Sequence, residues 1–297
     1  MFENVLVGVD GGQNGRDAIA LALRLKGPDG ELTLAHVHPG LLRATHAATP
    51  GMVDEERTSA ASLLASERDA AGVDAKLVSI EALTPGRGLH EQAESQGADL
   101  LVVGSSRHGA WGRVVLGDDT RSALNGAPCA VAIASLGFAE RSAPLATIGV
   151  AYDESPESVA ALEVARELAA STGAGTVKAL QVVTVPYVAY AGVFAPGVGD
   201  EISAMVAESN ERMRQLPGVD GRAIYGLAGE ELAHFGDEVD LLVVGSRGYG
   251  PLKRIVLGST SSFLQRNAHC PLLVMPRAAV GRGEGHSSAE VGAAAPA

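Results

Sequence analysis

The chain has 297 residues, a length that suits two domains of about 140 residues each. Its 46% of hydrophobic residues can fill two cores, and no apolar stretch reaches the roughly 18 residues that a transmembrane helix needs. A formal net charge of −12 argues against a surface for nucleic acids or anionic membranes. The first residues, MFENVLVGVD, already read as an apolar strand, so we expect no signal peptide and a cytoplasmic protein.

Short Val-, Leu- and Ile-rich runs alternate with longer Ala-rich amphipathic stretches along the first half of the chain. Five runs predict strands: one before Asp10, then Leu32–Val37, Lys76–Glu81, Leu100–Gly104 and Ala130–Ala134. This alternation predicts βαβ units, and continuously apolar strands predict helices on both faces of a parallel sheet. The fold class is therefore α/β, doubly wound and Rossmann-like.

The second half repeats the first. The sequence DLLVVGS occurs at 99–105 and again at 240–246, and aligning the halves places Asp153 opposite Asp10. We predict two copies of one five-stranded domain, residues 1–138 and 145–277, called here the first and the second repeat. The joint lies near Leu136–Pro144, and the Gly- and Ala-rich tail 278–297 is expected to be disordered.

Two cysteines occupy matching positions in the repeats. Cys129 and Cys270 each precede the last apolar run of their repeat and belong to no metal-binding spacing. We expect both to be buried, reduced thiols.

Polar signals follow strands 1 and 4 of each repeat. Open parallel sheets bind ligands beyond the carboxyl ends of their strands, where the winding direction reverses. If strands 1 and 4 are neighbours, then Asp153 and the glycine-rich segment that begins at Gly245 face one crevice. The same holds for Asp10 and Gly104 in the first repeat.

The glycine-rich segment of the second repeat ends at a serine-rich helix start. Glycine lets a backbone approach phosphates closely, and hydroxyl and N–H groups at a helix start form an anion site. Arg247 and Arg254 add positive charge. The alternative is that the glycines only close turns and that Ser259 only caps the helix. The candidate ligand-binding residues are Asp153, Val182, Gly245, Arg247, Gly248, Arg254, Gly258, Ser259 and Thr260.

The whole spacing, G-x2-G-x9-G-[ST] after DLLVVGS, resembles the ATP-binding signature of the universal stress protein family. The D-x-S-x-x-S run that begins at Asp153 and the ending HCPLLVMP are similar to that family too, and the resemblance extends from residue 3 to 276. It implies an adenine nucleotide α-hydrolase-like fold and ATP in the second repeat, with Mg²⁺ arriving on the phosphates. Asp153 and Val182 would then contact adenosine, and Gly245, Gly248, Gly258 and Ser259 would hold ribose and phosphates.

The first repeat departs from this signature at its phosphate end. Asp10, Val37, Gly104 and Gly117 remain, but Arg107 replaces the second glycine and Asp118 replaces the serine. A carboxylate beside a triphosphate costs on the order of 1–3 kcal/mol when it is partly desolvated, although Asp118 would be a good helix N-cap. We therefore predict that the first repeat has lost ATP affinity. In the alternative, Arg107 neutralises phosphates and admits a weaker or different nucleotide.

A stress-response module that works through nucleotide-dependent conformation or partner recruitment is the function that the resemblance implies. The alternative is a slow ATPase or phosphotransferase. No catalytic residue is predicted, because Glu154 and Glu157 suit a helix start and His234 and His269 have simpler loop or packing roles. His108 is the most exposed candidate, but it lies in the altered loop of the first repeat, which has lost its partners. No Walker sequence and no metal cage is present.

Single-domain members of the family pair through their last strands, so the resemblance implies that AVAIA and LLVMP of the two repeats pair within the tandem chain and cover each other's open edge. A homodimer of the tandem chain and an unidentified protein partner are compatible with the sequence. The segment Thr184–Ile202 reads as a lid or as an ordinary connection.

Overall fold

The computed structural model describes residues 1–39, 50–106, 111–115, 117–172, 175–184, 198–246, 255 and 258–276. The first repeat contains β1 (Phe2–Gly8), α1 (Gln13–Leu25), β2 (Lys26–His38), α2 (Pro50–Ala71), β3 (Lys76–Glu81), α3 (Pro85–Gln96), β4 (Leu100–Gly104), α4 (Asp118–Leu124) and β5 (Ala130–Ala134). The second contains β6 (Thr147–Ala151), α5 (Pro156–Thr172), β7 (Thr176–Val183), α6 (Val198–Arg214), β8 (Asp220–Tyr225), α7 (Ala228–Phe235), β9 (Leu241–Gly245), α8 (Ser259–Asn267) and β10 (Leu272–Met275).

The strands form one ten-stranded sheet in the order β3-β2-β1-β4-β5-β10-β9-β6-β7-β8. Within each repeat all neighbouring strands are parallel, and the first strand lies between the second and the fourth. The predicted α/β fold is confirmed, as is the predicted contact between strands 1 and 4. The winding direction therefore reverses between β1 and β4 and again between β6 and β9.

The two repeats meet through an antiparallel pair of strands, as the tandem arrangement predicted. Leu272, Leu273 and Val274 of β10 lie opposite Ile133, Ala132 and Val131 of β5. All six residues are buried. The edge strand of each repeat is thereby closed by the other repeat.

Helices cover both faces of the sheet, which explains why the central strands are apolar throughout. On one face, α1 and α5 pack against the strands, with Leu21 and Leu162 among their buried residues. On the other face, α3, α4, α7 and α8 cover the strands, with Leu89 and Leu264 among the buried residues. Each apolar layer contains residues from both repeats.

The aspartate of each DLLVVGS sequence fixes the start of the neighbouring first strand. The carboxylate of Asp99 accepts hydrogen bonds from the backbone N–H groups of Glu3 and Asn4 at 2.8 and 3.0 Å. Asp240 accepts from those of Ala146 and Thr147 at 2.9 and 2.8 Å. The repeated aspartate is therefore a scaffold residue at the amino ends of the strands.

The joint between the repeats is held by α1. The buried carboxylate of Asp17 accepts hydrogen bonds from the N–H groups of Gly137 and Ala139, both at 2.8 Å. The guanidinium of Arg24 lies 4.4 Å from the ring centre of Phe138, which is itself buried. The joint, though polar in sequence, is thus anchored by charged and aromatic contacts.

Both cysteines are free and buried, as the sequence predicted. Burial raises the pKa of Cys129 and that of Cys270 to about 12, so the reactive thiolate is scarce at neutral pH.

We expect both cysteines of the native protein to resist alkylation by iodoacetamide at neutral pH, with mass spectrometry as the measurement. Both thiols should react in concentrated guanidinium chloride, and prompt labelling of the folded chain would contradict this assignment.

Candidate functional site

A cavity of about 390 Å³ lies at the carboxyl ends of β1, β2 and β4 in the first repeat. Four of its lining residues are those that the sequence singled out in this repeat: Asp10, Val37, Gly104 and Gly117. Residues separated by more than 100 positions in the chain therefore meet where the winding direction reverses. This is the position at which open α/β sheets bind ligands.

The turn after β1 presents Asp10 at the surface. One carboxylate oxygen of Asp10 accepts a hydrogen bond from the N–H group of Gly12 and the other accepts from the side-chain amide of Asn14, both at 3.0 Å. Between them, Gly11 has φ of +76°, a left-handed conformation that favours glycine. The turn thus fixes the carboxylate at the start of α1.

The second repeat builds the same turn with different side chains. Asp153 accepts hydrogen bonds from the N–H group of Ser155 at 3.1 Å and from its hydroxyl. The hydroxyl of Ser158 donates to the carbonyl of Ser155 at 3.0 Å. Glu154 occupies the position of Gly11 and has φ of +64° without being glycine. The D-x-S-x-x-S run therefore has a structural task in starting α5.

The glycines that end β4 and β9 are required by helix packing. A Cβ atom on Gly104 would lie 2.1 Å from the carbonyl oxygen of Asn14, and one on Gly245 would lie 2.9 Å from the Cβ of Glu157. In each repeat the first turn of α1 or α5 touches the strand end directly. The sequence interpretation offered a phosphate contact or a tight turn, and this close helix contact is a third reason for glycine there.

Val37 and Val182 hold equivalent positions near the ends of β2 and β7. Both are half-buried and pack against the apolar layer of α3, α4, α7 and α8. Whether either side chain contacts a base stays a prediction.

The loops that lead into α4 and α8 end with the same backbone conformation. Gly117 has φ and ψ of −76° and 171°, and Gly258 has −82° and 175°. These glycines are the N-cap residues, so the predictions that Asp118 or Ser259 caps its helix are wrong, because each is the first helical residue. The N–H group of Gly258 donates to the hydroxyl of Ser261 at 2.9 Å. Ser259 is exposed and Thr260 is half-exposed.

Several predicted residues lie outside the described part of the chain. These are Arg107, His108, Arg247, Gly248 and Arg254, most of the segment Thr184–Ile202 and the tail. Of Asp118, the structure describes the backbone but not the side chain. Their roles stay predictions, including the loss of the phosphate end in the first repeat.

Sequence reasoning missed two histidines beside the cavity of the first repeat. His36 and His38 line a second cavity of about 480 Å³, together with Glu55 and Glu56. Nδ1 of His36 donates to the carbonyl of Val9 at 2.7 Å, and buried His38 contacts the hydroxyl of Ser79 through Nε2 at 2.9 Å. The available signal was the H-V-H ending of β2, where the second repeat has Q-V-V.

Of the other candidate acids and bases, two histidines lie at the amino ends of the strands, whereas Glu154 directly follows Asp153 and has a partner of its own. His269 contacts Asp237 at 2.7 Å and stacks edge-on with His234, at the amino ends of β9 and β10. Glu154 pairs with Arg212 at 2.7 Å. In the described residues, no group of three or more His, Cys, Asp or Glu side chains is arranged for a metal ion, and no helix there is long and apolar enough to cross a membrane.

Comparison with known proteins agrees with this geometry. The model of the universal stress protein family matches residues 1–135 and again 145–276. The chain belongs to the universal stress protein family. Its two matches also show the tandem arrangement of universal stress protein domains that the internal repeat indicated.

Individual relatives share this arrangement over most of their length. A universal stress protein of Mycobacterium tuberculosis is 30% identical over 227 residues, which cover 74% of this chain and 77% of that protein. The crystal structure of a universal stress protein from Archaeoglobus fulgidus has a TM-score of 0.63 at 18% identity, covering 92% of this chain and 98% of that one. A structure from Pseudomonas aeruginosa covers 94% and 95%, with a TM-score of 0.61 at 16% identity.

The left-handed residue beside Asp153 generates a stability prediction. Glu154→Gly should raise the free energy of unfolding by about 0.5 kcal/mol, because the strain of a left-handed residue, ~1–2 kcal/mol, exceeds the entropic cost of glycine. The exposed pair with Arg212 contributes little. Urea unfolding measures the change. Glu157→Gly, in the first turn of α5, is the control and should lower the same quantity by about 1 kcal/mol. A loss of stability in Glu154→Gly would show that the turn is not strained.

Proposed function

We propose that this universal stress protein binds ATP in its second repeat and works as a nucleotide-dependent regulatory module of the stress response. One observation carries the proposal: the turn of Asp153 and the first turn of α8 follow β6 and β9, which are paired neighbours at the reversal of winding. The carboxylate of Asp153 is suited to bind the ribose or the adenine of ATP, and the first turn of α8 is suited to bind its phosphates. Val182, at the end of β7, is suited to the adenine face.

The helix start supports phosphate binding by its chemistry. The first N–H groups of a helix have no partner within the helix, and its dipole attracts anions. Helix α8 has nine residues and begins with Ser259 and Thr260, whose hydroxyls can donate to phosphate oxygens. Gly258 contributes no side chain at the point where the backbone enters the helix. We propose that the predicted residues Arg247, Gly248 and Arg254 also bind the phosphates. The two arginines would add positive charge, and Gly248 would let the backbone approach closely.

The first repeat has the same backbone conformation at this point but a different side chain. Gly117 and Gly258 agree closely in φ and ψ, so the backbone enters the two helices in the same conformation. The repeats differ there in the first helical side chain, which is the carboxylate of Asp118 in one and the hydroxyl of Ser259 in the other. We therefore propose that ATP binds mainly to the second repeat. The cavity around Asp10 and Val37 leaves room for a ligand in the first repeat that carries less negative charge.

A divalent cation would bind at this site only together with the nucleotide. In the part of the chain that the structure describes, no group of three or more His, Cys, Asp or Glu side chains is arranged for a metal ion, so this site offers no protein cage for Mg²⁺. We propose that Mg²⁺ is held by phosphate oxygens.

We further propose that the protein acts in the cytoplasm, through a protein partner or a homodimer of the tandem chain.

The charge at the start of α8 can be tested by exchanging the residues of the two repeats. Ser259→Asp should weaken ATP binding by roughly 10- to 100-fold, because it adds like charge beside the phosphates. An acidic residue in the first turn of a helix is favourable for the fold, so the melting temperature should not fall. Isothermal titration calorimetry measures the affinity.

Asp118→Ser is the matched control and should leave the affinity of the second repeat unchanged. Mass spectrometry of nucleotide that co-purifies with the wild-type protein gives its identity and the number per chain, expected to be one ATP. A wild-type chain that binds no ATP, or Ser259→Asp with undiminished affinity, would contradict the proposal.

Slow ATP hydrolysis is the second candidate function, since the proposed site would bring phosphates together with Asp153. Turnover is measured as ADP formed from ATP and Mg²⁺. We expect rates far below the ~1 s⁻¹ of typical enzymes, because the sequence predicts no catalytic base and the exposed carboxylate of Asp153 accepts hydrogen bonds within its own turn. Turnover above that rate that is lost in Ser259→Ala would favour the enzyme instead.

A further inference from the structure

The loop that leads into α8 is held by the other repeat. Ile255, three residues before Gly258, is the residue of this loop that the structure describes between 247 and 257. Its carbonyl accepts a hydrogen bond from the N–H group of Gly126 at 3.0 Å, and its own N–H group donates to the carbonyl of Ala127 at 3.1 Å. Both partners belong to the first repeat, so the backbone is clamped from both sides.

A related contact holds the far end of the same helix. The N–H group of Val114, in the first repeat, donates to the carbonyl of Ala268 at 2.9 Å, and Ala268 directly follows α8. Val114 and Ile255 are equivalent positions, ten residues after Gly104 and Gly245, and Ala127 and Ala268 are equivalent too. The bonds from Val114 to Ala268 and from Ile255 to Ala127 are therefore the two halves of one pseudo-twofold contact.

These contacts are buried away from solvent. Val114 is fully buried and Ile255 is 1% exposed, and both pack in the apolar layer that spans the two repeats. A backbone hydrogen bond in such surroundings is costly to break, because neither group can turn to water. The contact can therefore fix the loop in one position relative to the first repeat.

We propose that Gly126 and Ala127 of the first repeat are positioning residues for the phosphate end of the second repeat. This inference rests on the proposed nucleotide site, whose loop and helix they hold. Displacing Ile255 would shift the entry into α8 and thus the N–H groups and hydroxyls of its first turn, while Asp153 and Val182 would stay in place on β6 and β7. The first repeat is then part of the site even where it binds no nucleotide itself.

Gly126→Ala tests the clamp. Gly126 has φ of +83°, which an alanine tolerates poorly, so the substitution moves both the N–H group of residue 126 and the carbonyl of residue 127. Gly97→Ala is the matched control: φ is +63°, it lies in the same repeat, and no atom lies within 4 Å of its added Cβ. Gly97 ends α3, and its N–H group donates within the first repeat, to the carbonyl of Glu94.

We expect Gly126→Ala to weaken ATP binding roughly 5- to 10-fold, the worth of about one buried hydrogen bond, and Gly97→Ala to leave it unchanged. Adenosine, which lacks phosphates, should bind both variants within roughly twofold of wild type. A merely structural role would lower both affinities together. Equal ATP affinity in the two variants, or a parallel loss of ATP and adenosine, would overturn the inference.

Hydrogen exchange without nucleotide separates this inference from the proposed function. In Gly126→Ala the amide of Ile255 and the first turn of α8 should exchange faster than in Gly97→Ala. If the wild-type chain binds no ATP, the proposed function fails and this comparison alone decides whether the clamp exists; unchanged exchange refutes it. Should Gly126→Ala not fold, Ile255→Pro tests the contact from its other side, because it removes the N–H group that donates to the carbonyl of Ala127; the same selective loss of ATP is expected.

Discussion

The antiparallel contact between β5 and β10 is the interaction on which the remaining architecture depends. Without it, each repeat would expose an apolar edge strand with unpaired backbone groups, which is a template for aggregation. Pairing Ala132 with Leu273 closes both edges and turns two five-stranded sheets into one. The same contact aligns the helix layers, so that each apolar face continues from one repeat into the other. It also brings Val114 and Ile255 to the backbone that precedes the last strand of the other repeat.

The sequence shared by the repeats is mainly scaffold. In DLLVVGS, the aspartate anchors the start of the neighbouring strand, the four apolar residues fill the two layers, and the glycine admits a helix. The serine of the first repeat, Ser105, exchanges hydrogen bonds with the backbone of Val115 at 2.7 and 3.0 Å. The identity between the repeats in this sequence therefore follows from packing.

The first repeat stabilises the fold even though its loop departs from the family's signature. Its last strand closes the sheet, its α1 anchors the joint through Asp17, and its Ala127 holds the loop of its neighbour. None of these contacts depends on the side chain at position 118. Selection on the fold alone would thus preserve the first repeat while its own cavity acquired different side chains, such as His36 and His38.

Much of the fold follows from the sequence because it rests on local patterns. Apolar runs of strand length, their alternation with amphipathic stretches and the internal repeat predicted the strands, the parallel winding and the tandem arrangement, and the spacing after DLLVVGS indicated the family. The neighbours Asp10 and Gly104 were also predicted, since a doubly wound sheet brings strands 1 and 4 together.

The sequence alone could not reveal contacts between residues that are far apart in the chain. Gly245 is glycine because Glu157 approaches it, and the N-cap of α8 is Gly258, whose own backbone is extended. The contact of Ile255 with Gly126 and Ala127 uses only backbone atoms, which leave no mark in side-chain chemistry. The position of the strands and of the candidate site was thus determined by local sequence, whereas the tertiary structure decided which backbone groups meet across the seam.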